Sequence, residues 1–426
     1  MSHAVVLGAG IIGITTAYYL NKAGHQVTVI ERNPQAGLET SYANGGQLSY
    51  SYVAPLAGPG VVPKIPPWLL RADSPLRFYP KFDVDQWRWC IAFLRACNRP
   101  QAEISTVHLL RLAYYSRQLI HDIVASEPVR FDYRRNGKLV IFSDHESFDG
   151  AKRTLDFQRA FGSEQHALDR DQCLALEPAL QHIRQRVAGG IHTPSEDAGD
   201  CHDFCVGMEA LLKDRGVDFR VSETVQRFRV DSHDGRRTIR AVHTDRGEVS
   251  GDAFVMAMGA GNAWHAKGLG FHLPIYPLKG YSLTLDTRQA QQRGPASSPH
   301  ISVTDSAYKV VYALLGDELR IAGMADIAGY NTAVDPVRVR LLINQARSVF
   351  PDAGDYTADL KPWCGLRPAT PKGTPILGAS PVSNLFLNAG HGALGWTLSF
   401  GCAKVVSDLI CGQQAAISLQ GLTLAD

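Results

Sequence analysis

The chain has 426 residues, 45% hydrophobic and 20% charged, with 39 glycines and a formal net charge of +2. That length supports a large buried core and two domains. The near-neutral charge argues against nucleic acid or a polyanionic partner. Eight scattered cysteines, without paired CxxC motifs, predict reduced thiols in a cytoplasmic chain and no metal centre. Cys201 and Cys205 in "CHDFC" read as buried helical thiols. The apolar N-terminus lacks a basic leader and is broken at Asn21 and Lys22, so neither a signal peptide nor a membrane span is expected there or elsewhere.

In chain order, residues 3–7 form a short apolar run that predicts a buried parallel strand. Gly8, Gly10 and Gly13 follow in GxGxxG spacing, and "IIGITTAYYLNKAG" has apolar residues at helical spacing, with Gly24 as the stop. "QVTVIE" predicts the next strand, ending at Glu31. Gly8 permits the tight turn, Gly10 lets the backbone approach a pyrophosphate, and Gly13 lets helix and sheet close together. The helix N-terminus supplies free N–H groups, and Glu31 is placed to accept the hydroxyls of an adenosine ribose. This order of elements predicts an ADP-moiety site and leaves NAD and FAD both open.

The next segment favours FAD. A nicotinamide unit proceeds to another strand and helix, whereas residues 33–52 form a loop of small polar residues and glycine. Thr40, Ser41, Asn44, Gly45, Gly46 and Gln47 offer hydroxyls, amides and bare backbone to an extended cofactor. "RGVDFRVSETVQRFRVD" predicts two strands around a kink, and "GDAFVMAMGAGN" an apolar strand ending in small residues. Near the other end, "LFLNAG" predicts a strand, "HGALG" a glycine-rich turn and "WTLSFGCAKVVSDLICG" a helix. The N–H groups at that helix start suit the electron-rich edge of a reduced flavin. A nucleotide domain built from the first, middle and last thirds of the chain fits FAD.

These segments, with "ETSYANGGQLS", "YVAPLAGPG", "GDC", "PLKGYSLT", "AGMADIAGYN", "GLRPATPKGTPILG" and "NAGHGALGWT", resemble the D-amino acid oxidase superfamily of flavoproteins, and within it the small-subunit type of D-amino acid dehydrogenase. The resemblance covers nearly the whole chain. Two positions depart from the family pattern: Lys372 in "TPKG" and Gly45 in "NGGQ". The resemblance implies non-covalent FAD held in the first segment by Gly8, Gly10, Ile11, Ile12 and Gly13, then by Glu31 and Arg32. It extends the loop contacts from Thr40, Ser41, Asn44, Gly45, Gly46 and Gln47 to Leu48. It adds Val225 and Gly259, and at the C-terminal turn Gly390, His391, Gly392, Leu394, Gly395, Trp396 and Thr397. His391 is read as an orienting residue, not a general base.

The expected fold class is α/β: a Rossmann-like FAD domain plus an α+β substrate domain with a mainly antiparallel sheet. The FAD domain is expected from residues 1–52, 150–265 and 355–426, and the substrate domain from 53–149 and 266–354. Alternating runs at 136–142, 275–286 and 308–327 predict strands of the latter, with an inserted helix in "VRVRLLINQARSVF". Arg367, in "GLRP", is the expected carboxylate clamp, since Arg offers a planar two-pronged donor. Tyr52, Tyr281 and Lys279 are further candidates near the reacting atoms. The expected reaction is oxidative deamination of a D-amino acid by hydride transfer to FAD. Alternatives are a dehydrogenase or oxidase of a secondary amino acid (hydroxyproline, proline or sarcosine type) and a flavin-binding subunit without its own catalysis. The resemblance also implies a quinone or other non-oxygen acceptor and peripheral contact with the inner face of the cytoplasmic membrane. The Pro-rich stretch 53–98, with Trp68, Trp87 and Trp89, reads as a domain connector or as that contact surface.

Overall fold

A computed structural model of the chain describes residues 2–65 and 74–426; Trp68 lies outside the described residues. The molecule is built around two large sheets. The first has six strands in the order Ile376–Ala379, Leu385–Ala389, Ala253–Met256, His3–Leu7, Gln26–Glu31 and Asp218–Val221. All neighbours run parallel except the edge strand Ile376–Ala379. His3–Leu7 is almost wholly buried, as a strand covered on both faces must be. Helices Ile11–Lys22, Arg99–Ser126, Cys201–Asp214 and Gly395–Ile410 share one hydrophobic core on this side of the molecule.

The second sheet has nine strands, mainly antiparallel, and includes Tyr276–Asp286, Val310–Leu315, Glu318–Ile327 and Trp363–Ala369. Helix Pro336–Val349 packs on its outer face, where Leu342, Ala346 and Val349 meet Leu283, Tyr312 and Ile321. The inner face looks toward the loop around Asn44. A methyl group on Gly45 would come within 2.9 Å of Val311, and one on Gly46 within 2.9 Å of Leu315.

Sheet membership departs from the expected boundaries in three places. Strands His166–Leu168 and Gly189–Thr193 join the nine-stranded sheet through Lys138–Phe142, although 150–265 was assigned to the cofactor side. Trp363–Ala369 joins the same sheet by pairing with Tyr276–Asp286. Helix Arg99–Ser126, expected on the substrate side, instead buries Leu109, Leu110 and Leu112 in the cofactor-side core. Strand partners so distant in the chain are chosen by packing, and local alternation carries no record of that choice.

Segment Gly392–Ile410 is long and apolar enough to cross a membrane by length and composition, contrary to the sequence expectation. Its residues from Trp396 to Asp408 are nearly all buried against helices Ile11–Lys22 and Arg99–Ser126, which identifies it as the central helix of a folded core.

Candidate active site

Three helices begin at the C-terminal ends of parallel strands: Ile11–Lys22, Gly261–Gly268 and Gly395–Ile410. None has a side-chain cap or an acidic residue in its first turn. Six other helices open on a capping Asp or Asn: Asp83, Asn98, Asp144, Asp169, Asp200 and Asp335. Uncapped N–H groups at this edge suit an anionic or electron-rich ligand. Bare backbone lies beside them. A methyl on Gly10 would meet only Ser41 Oγ, at 3.5 Å, and one on Gly259 or Gly392 would meet nothing within 4 Å. Gly13 serves packing instead, since a methyl there would overlap the Gly8 carbonyl at 1.8 Å. Ile11 is buried, with its N–H bonded to Ser41 Oγ, and Ile12 is half-buried. This donor set suits an extended FAD: the helix starts would hold its phosphates, and the glycines would let it pass close to the protein backbone.

The carboxylate of Glu31 sits at the tip of its strand and is 8% exposed. It accepts from the Ala9 N–H at 2.7 Å and from the Asn33 N–H at 2.9 Å. Burial raises its pKa, and those N–H groups work against the rise. Oε1 also accepts from Asn33 Nδ2 at 2.7 Å, so Oε2 is the oxygen that retains a lone pair for a ribose hydroxyl. Arg32 points outward and pairs with Glu39. Ser41 Oγ accepts the Ile11 N–H at 3.0 Å and closes the cofactor loop onto the first helix.

Other loop residues face the second sheet. Thr40 donates to the Leu366 carbonyl at 2.9 Å, and Gln47 Nε2 donates to the carbonyls of Val303 and Tyr312. Arg320 locks the loop from the sheet side, donating to the Asn44 carbonyl at 3.1 Å and to Asp200 at 3.0 Å. Leu48 is fully buried in the core, so its side chain is not a ligand contact. Val225 opens the strand Val225–His233, half-buried beside Glu223, whose N–H donates to the Glu31 carbonyl at 2.9 Å.

At the C-terminal turn, Gly390 takes φ +77° with the Thr370 methyl close by. Asn388 Nδ2 donates to Thr16 Oγ1 at 3.0 Å, which leaves Asn388 Oδ1 to accept from His391 Nε2 at 3.0 Å. Burial pushes the His391 imidazole down to about 3, so it is neutral and fixed in orientation. Leu394 and Gly395 are half-buried at the helix start. The side chains of the next two residues turn inward. Trp396 is 5% exposed among Phe131, Phe204 and Phe400, and Thr397 Oγ1 accepts the Ser49 N–H at 2.9 Å. Only their backbone remains to meet a cofactor.

The inner face of the second sheet carries Arg367, paired with Leu278 and standing over Gly280. A methyl on Gly280 would come within 2.4 Å of the guanidinium, so a larger residue there would displace the arginine from this position. One N–H donates to the Met324 carbonyl at 2.8 Å. Met324 lies at an irregularity of strand Glu318–Ile327 with φ +61°, a conformation costly outside glycine, and this bend aims its carbonyl. Burial lowers the pKa of Arg367, although part of its surface stays free. Tyr52 shows the same combination: 37% of its surface is free, yet desolvation raises its phenol pKa. Free surface in a desolvated setting means a recess inside the protein. The segment after Tyr52 reaches the turn that follows Arg367, with Pro55 2.8 Å from a methyl built on Gly373. Trp89, which a contact surface would need exposed, is 4% exposed, and its indole N–H holds the Ala369 carbonyl at 2.7 Å.

Lys279 and Tyr281 are not brought to this place. They alternate with Gly280 and occupy the outer face, where Tyr281 donates to Asp326 at 2.9 Å and Lys279 donates to the Ala333 carbonyl. The pleat that turns Arg367 inward turns both of them away. Lys372, the departure in "TPKG", donates to the main-chain oxygen of Asp426 at 2.5 Å, outside the recess. Two buried charges that no motif marks, Lys138 and Glu196, contact residues 49–52.

Comparisons with known proteins agree with this architecture. Residues 3–409 match the DAO family, described as FAD dependent oxidoreductase. The chain is 47% identical over 425 residues to D-amino acid dehydrogenase 2 of Ralstonia nicotianae, covering 99% of each chain. It is 42% identical over 419 residues to a D-amino acid dehydrogenase of Paramagnetospirillum magneticum, covering 98% of this chain and 97% of the other. The crystal structure of glycine oxidase from Geobacillus kaustophilus superposes with a TM-score of 0.77 at 21% identity, covering 100% of this chain and 99% of that one; this likeness is one of fold.

Proposed function

The chain belongs to the DAO family of FAD-dependent oxidoreductases, and from that premise we propose that it dehydrogenates D-amino acids to 2-oxo acids and ammonia. One observation carries the reading: Arg367, a desolvated cation on the sheet face turned toward the cofactor loop, seated over Gly280 and oriented by the Met324 carbonyl. One N–H is committed there, and the others remain for a bidentate grip on a carboxylate. When bound, FAD supplies hydride-accepting chemistry: an amino acid with a neutral amine loses its α-hydrogen as hydride, and the imino acid hydrolyses to the 2-oxo acid and ammonia.

The protein's task is position. Arg367 fixes the carboxylate, and Tyr52, whose segment reaches the turn that follows Arg367, bounds the recess. His391, neutral and tied to Asn388, orders the turn where the ring edge of the cofactor fits. Residues Gly8, Gly10 and Glu31 would hold the ADP portion, with Ser41 closing the loop. The test is an anaerobic spectrum of the purified protein against D- and L-amino acids and proline derivatives. Bleaching of the flavin by the D-series supports the reading. Bleaching by L-amino acids or secondary amines alone overturns the stereochemistry or substrate class, and no bleaching overturns catalysis.

We propose further that electrons pass to a quinone and that the protein lies peripherally on the cytoplasmic face of a membrane. Helix Val84–Ala96 supports this reading: Val84, Trp87, Ile91 and Leu94 recur at helical spacing and are 63%, 47%, 50% and 46% exposed. Exposed Lys81, Arg88 and Arg95 flank them, a pairing of apolar stripe and basic rim suited to anionic lipid. Ile91→Glu with Leu94→Glu should abolish sedimentation with anionic vesicles while leaving dye-coupled turnover intact; undiminished sedimentation overturns this surface.

A further inference from the structure

Lys138 opens the strand Lys138–Phe142, and Glu196 immediately precedes the strand Asp197–Ala198. They are 2% and 0% exposed. Lys138 Nζ donates to Ser49 Oγ at 2.8 Å and lies 4.2 Å from the centre of the Tyr52 ring. Glu196 Oε1 accepts the backbone N–H of Ser51 at 2.7 Å and of Tyr52 at 3.3 Å. The two charges therefore grip one four-residue segment from beneath. The Ser49 N–H, bonded to Thr397, anchors that segment to the start of helix Gly395–Ile410.

Buried charges are a costly way to hold a loop, and well-packed apolar residues often do as well or better. These two also leave capacity unused. Among the described residues Glu196 Oε2 has no hydrogen-bond partner, and Lys138 has three N–H donors but one hydrogen bond, although each charge feels the other. Burial pushes the Lys138 ammonium down to about 8 and raises the Glu196 carboxyl. What charge supplies here is direction. A carboxylate fixes two successive backbone N–H groups, and a cation prefers the face of an aromatic ring.

We propose that Lys138 and Glu196 are positioning residues for the reaction: they fix residues 49–52 so that Tyr52 presents its ring and hydroxyl to the recess beside Arg367. The inference rests on the amino acid dehydrogenase reading above. The substrate meets Tyr52; Lys138 and Glu196 act through it.

The experiment is a double-mutant cycle on holoenzyme with K138M, Y52A and the pair, using whichever amine bleaches the parent flavin. K138M should lower kcat/KM about tenfold, chiefly through KM, as expected when contacting residues are coupled. The flavin spectrum should not change, and K138M should add little in the Y52A background. K138R, which keeps a cation under the ring, should recover most of the loss. Independent, multiplying effects of K138M and Y52A overturn the inference. If K138M does not fold, E196Q takes its place in the same cycle. A parent bleached only by an L- or secondary amine overturns the substrate reading and leaves the cycle interpretable. If no amine reduces the flavin, a crystal structure of K138M holoenzyme decides: a displaced Tyr52 ring supports the inference, and an unmoved ring overturns it.

Discussion

The two faces of strand Tyr276–Asp286 are both buried and both touch buried charge, yet they differ in kind. On the outer face, Tyr281 and Arg338 converge on Asp326, with Arg338 Nη2 at 2.7 Å from the carboxylate and Nη1 donating to the Ser74 carbonyl. Each of these charges has an opposite charge or a backbone partner inside the protein. On the inner side, Arg367 spends one N–H on Met324, and Glu196 Oε2, Ser282 Oγ and Ser302 Oγ have no hydrogen-bond partner among the described residues, whereas on the outer side Arg338 leaves only its Nε without one. A nearly closed network holds a fold together, whereas an open one is arranged for something that arrives later.

The largest effect should come from breaking the closed side. Asp326→Ala leaves Arg338 buried and unpaired, which costs about 3–5 kcal/mol. Denaturant titration should show that loss; a change below about 1 kcal/mol, the value of an exposed pair, would mean these charges do not hold the fold. Arg367→Ala, on the open side, should lower kcat/KM by about 10²–10³-fold, mainly through KM, with the flavin spectrum intact. An unchanged KM removes Arg367 from carboxylate binding.

Next comes pH. His391 is 3% exposed, and burial lowers its folded pKa to about 3. The unfolded chain takes up a proton near pH 6.5 that the folded chain refuses. Stability is therefore fully present above that value and falls with acid by about 1.4 kcal/mol per pH unit until pH approaches 3. His391→Asn should flatten the melting temperature between about pH 4 and about pH 6, the middle of that window; an unaltered slope places the titration elsewhere. Gly280→Ala sets a methyl against the Arg367 guanidinium and should cost about 1–3 kcal/mol of stability or raise KM as the arginine is displaced. The smallest effect belongs to Lys279→Met, whose side chain is on the far face: KM should stay within about twofold of the parent, a change of under 0.5 kcal/mol. A large rise in KM would return Lys279 to the recess.

Much of the cofactor half was legible in the sequence because its signals are local. GxGxxG, the strand before it and the helix after it lie within about twenty residues, and each glycine answers a constraint its own neighbours impose. The turn at Gly390–Gly395 repeats that grammar. The order strand, turn, helix thus predicted both cofactor-side ends of the chain, and the loop of small residues after Glu31 pointed to the flavin. Arg367 was legible from its motif, but the Met324 carbonyl that aims it was not, since nothing marks a methionine for a left-handed conformation.

The remaining decisions belonged to the tertiary structure. Strand Tyr276–Asp286 is covered on both faces, so its sequence lacks the polar–apolar alternation that would say which residues point inward. Lys279 and Tyr281 were misplaced for that reason. Lys138 reads as an ordinary charge at a strand start, and Glu196 as one more acid in a turn. The groups they hold, Ser49 and Tyr52 for Lys138 and Ser51 and Tyr52 for Glu196, lie far away in the chain. The sequence by itself determined where a nucleotide would lie, because a tight turn and a helix start are properties of adjacent residues. Which charges face the recess depended on pairing between distant strands, and only folding brings those into contact.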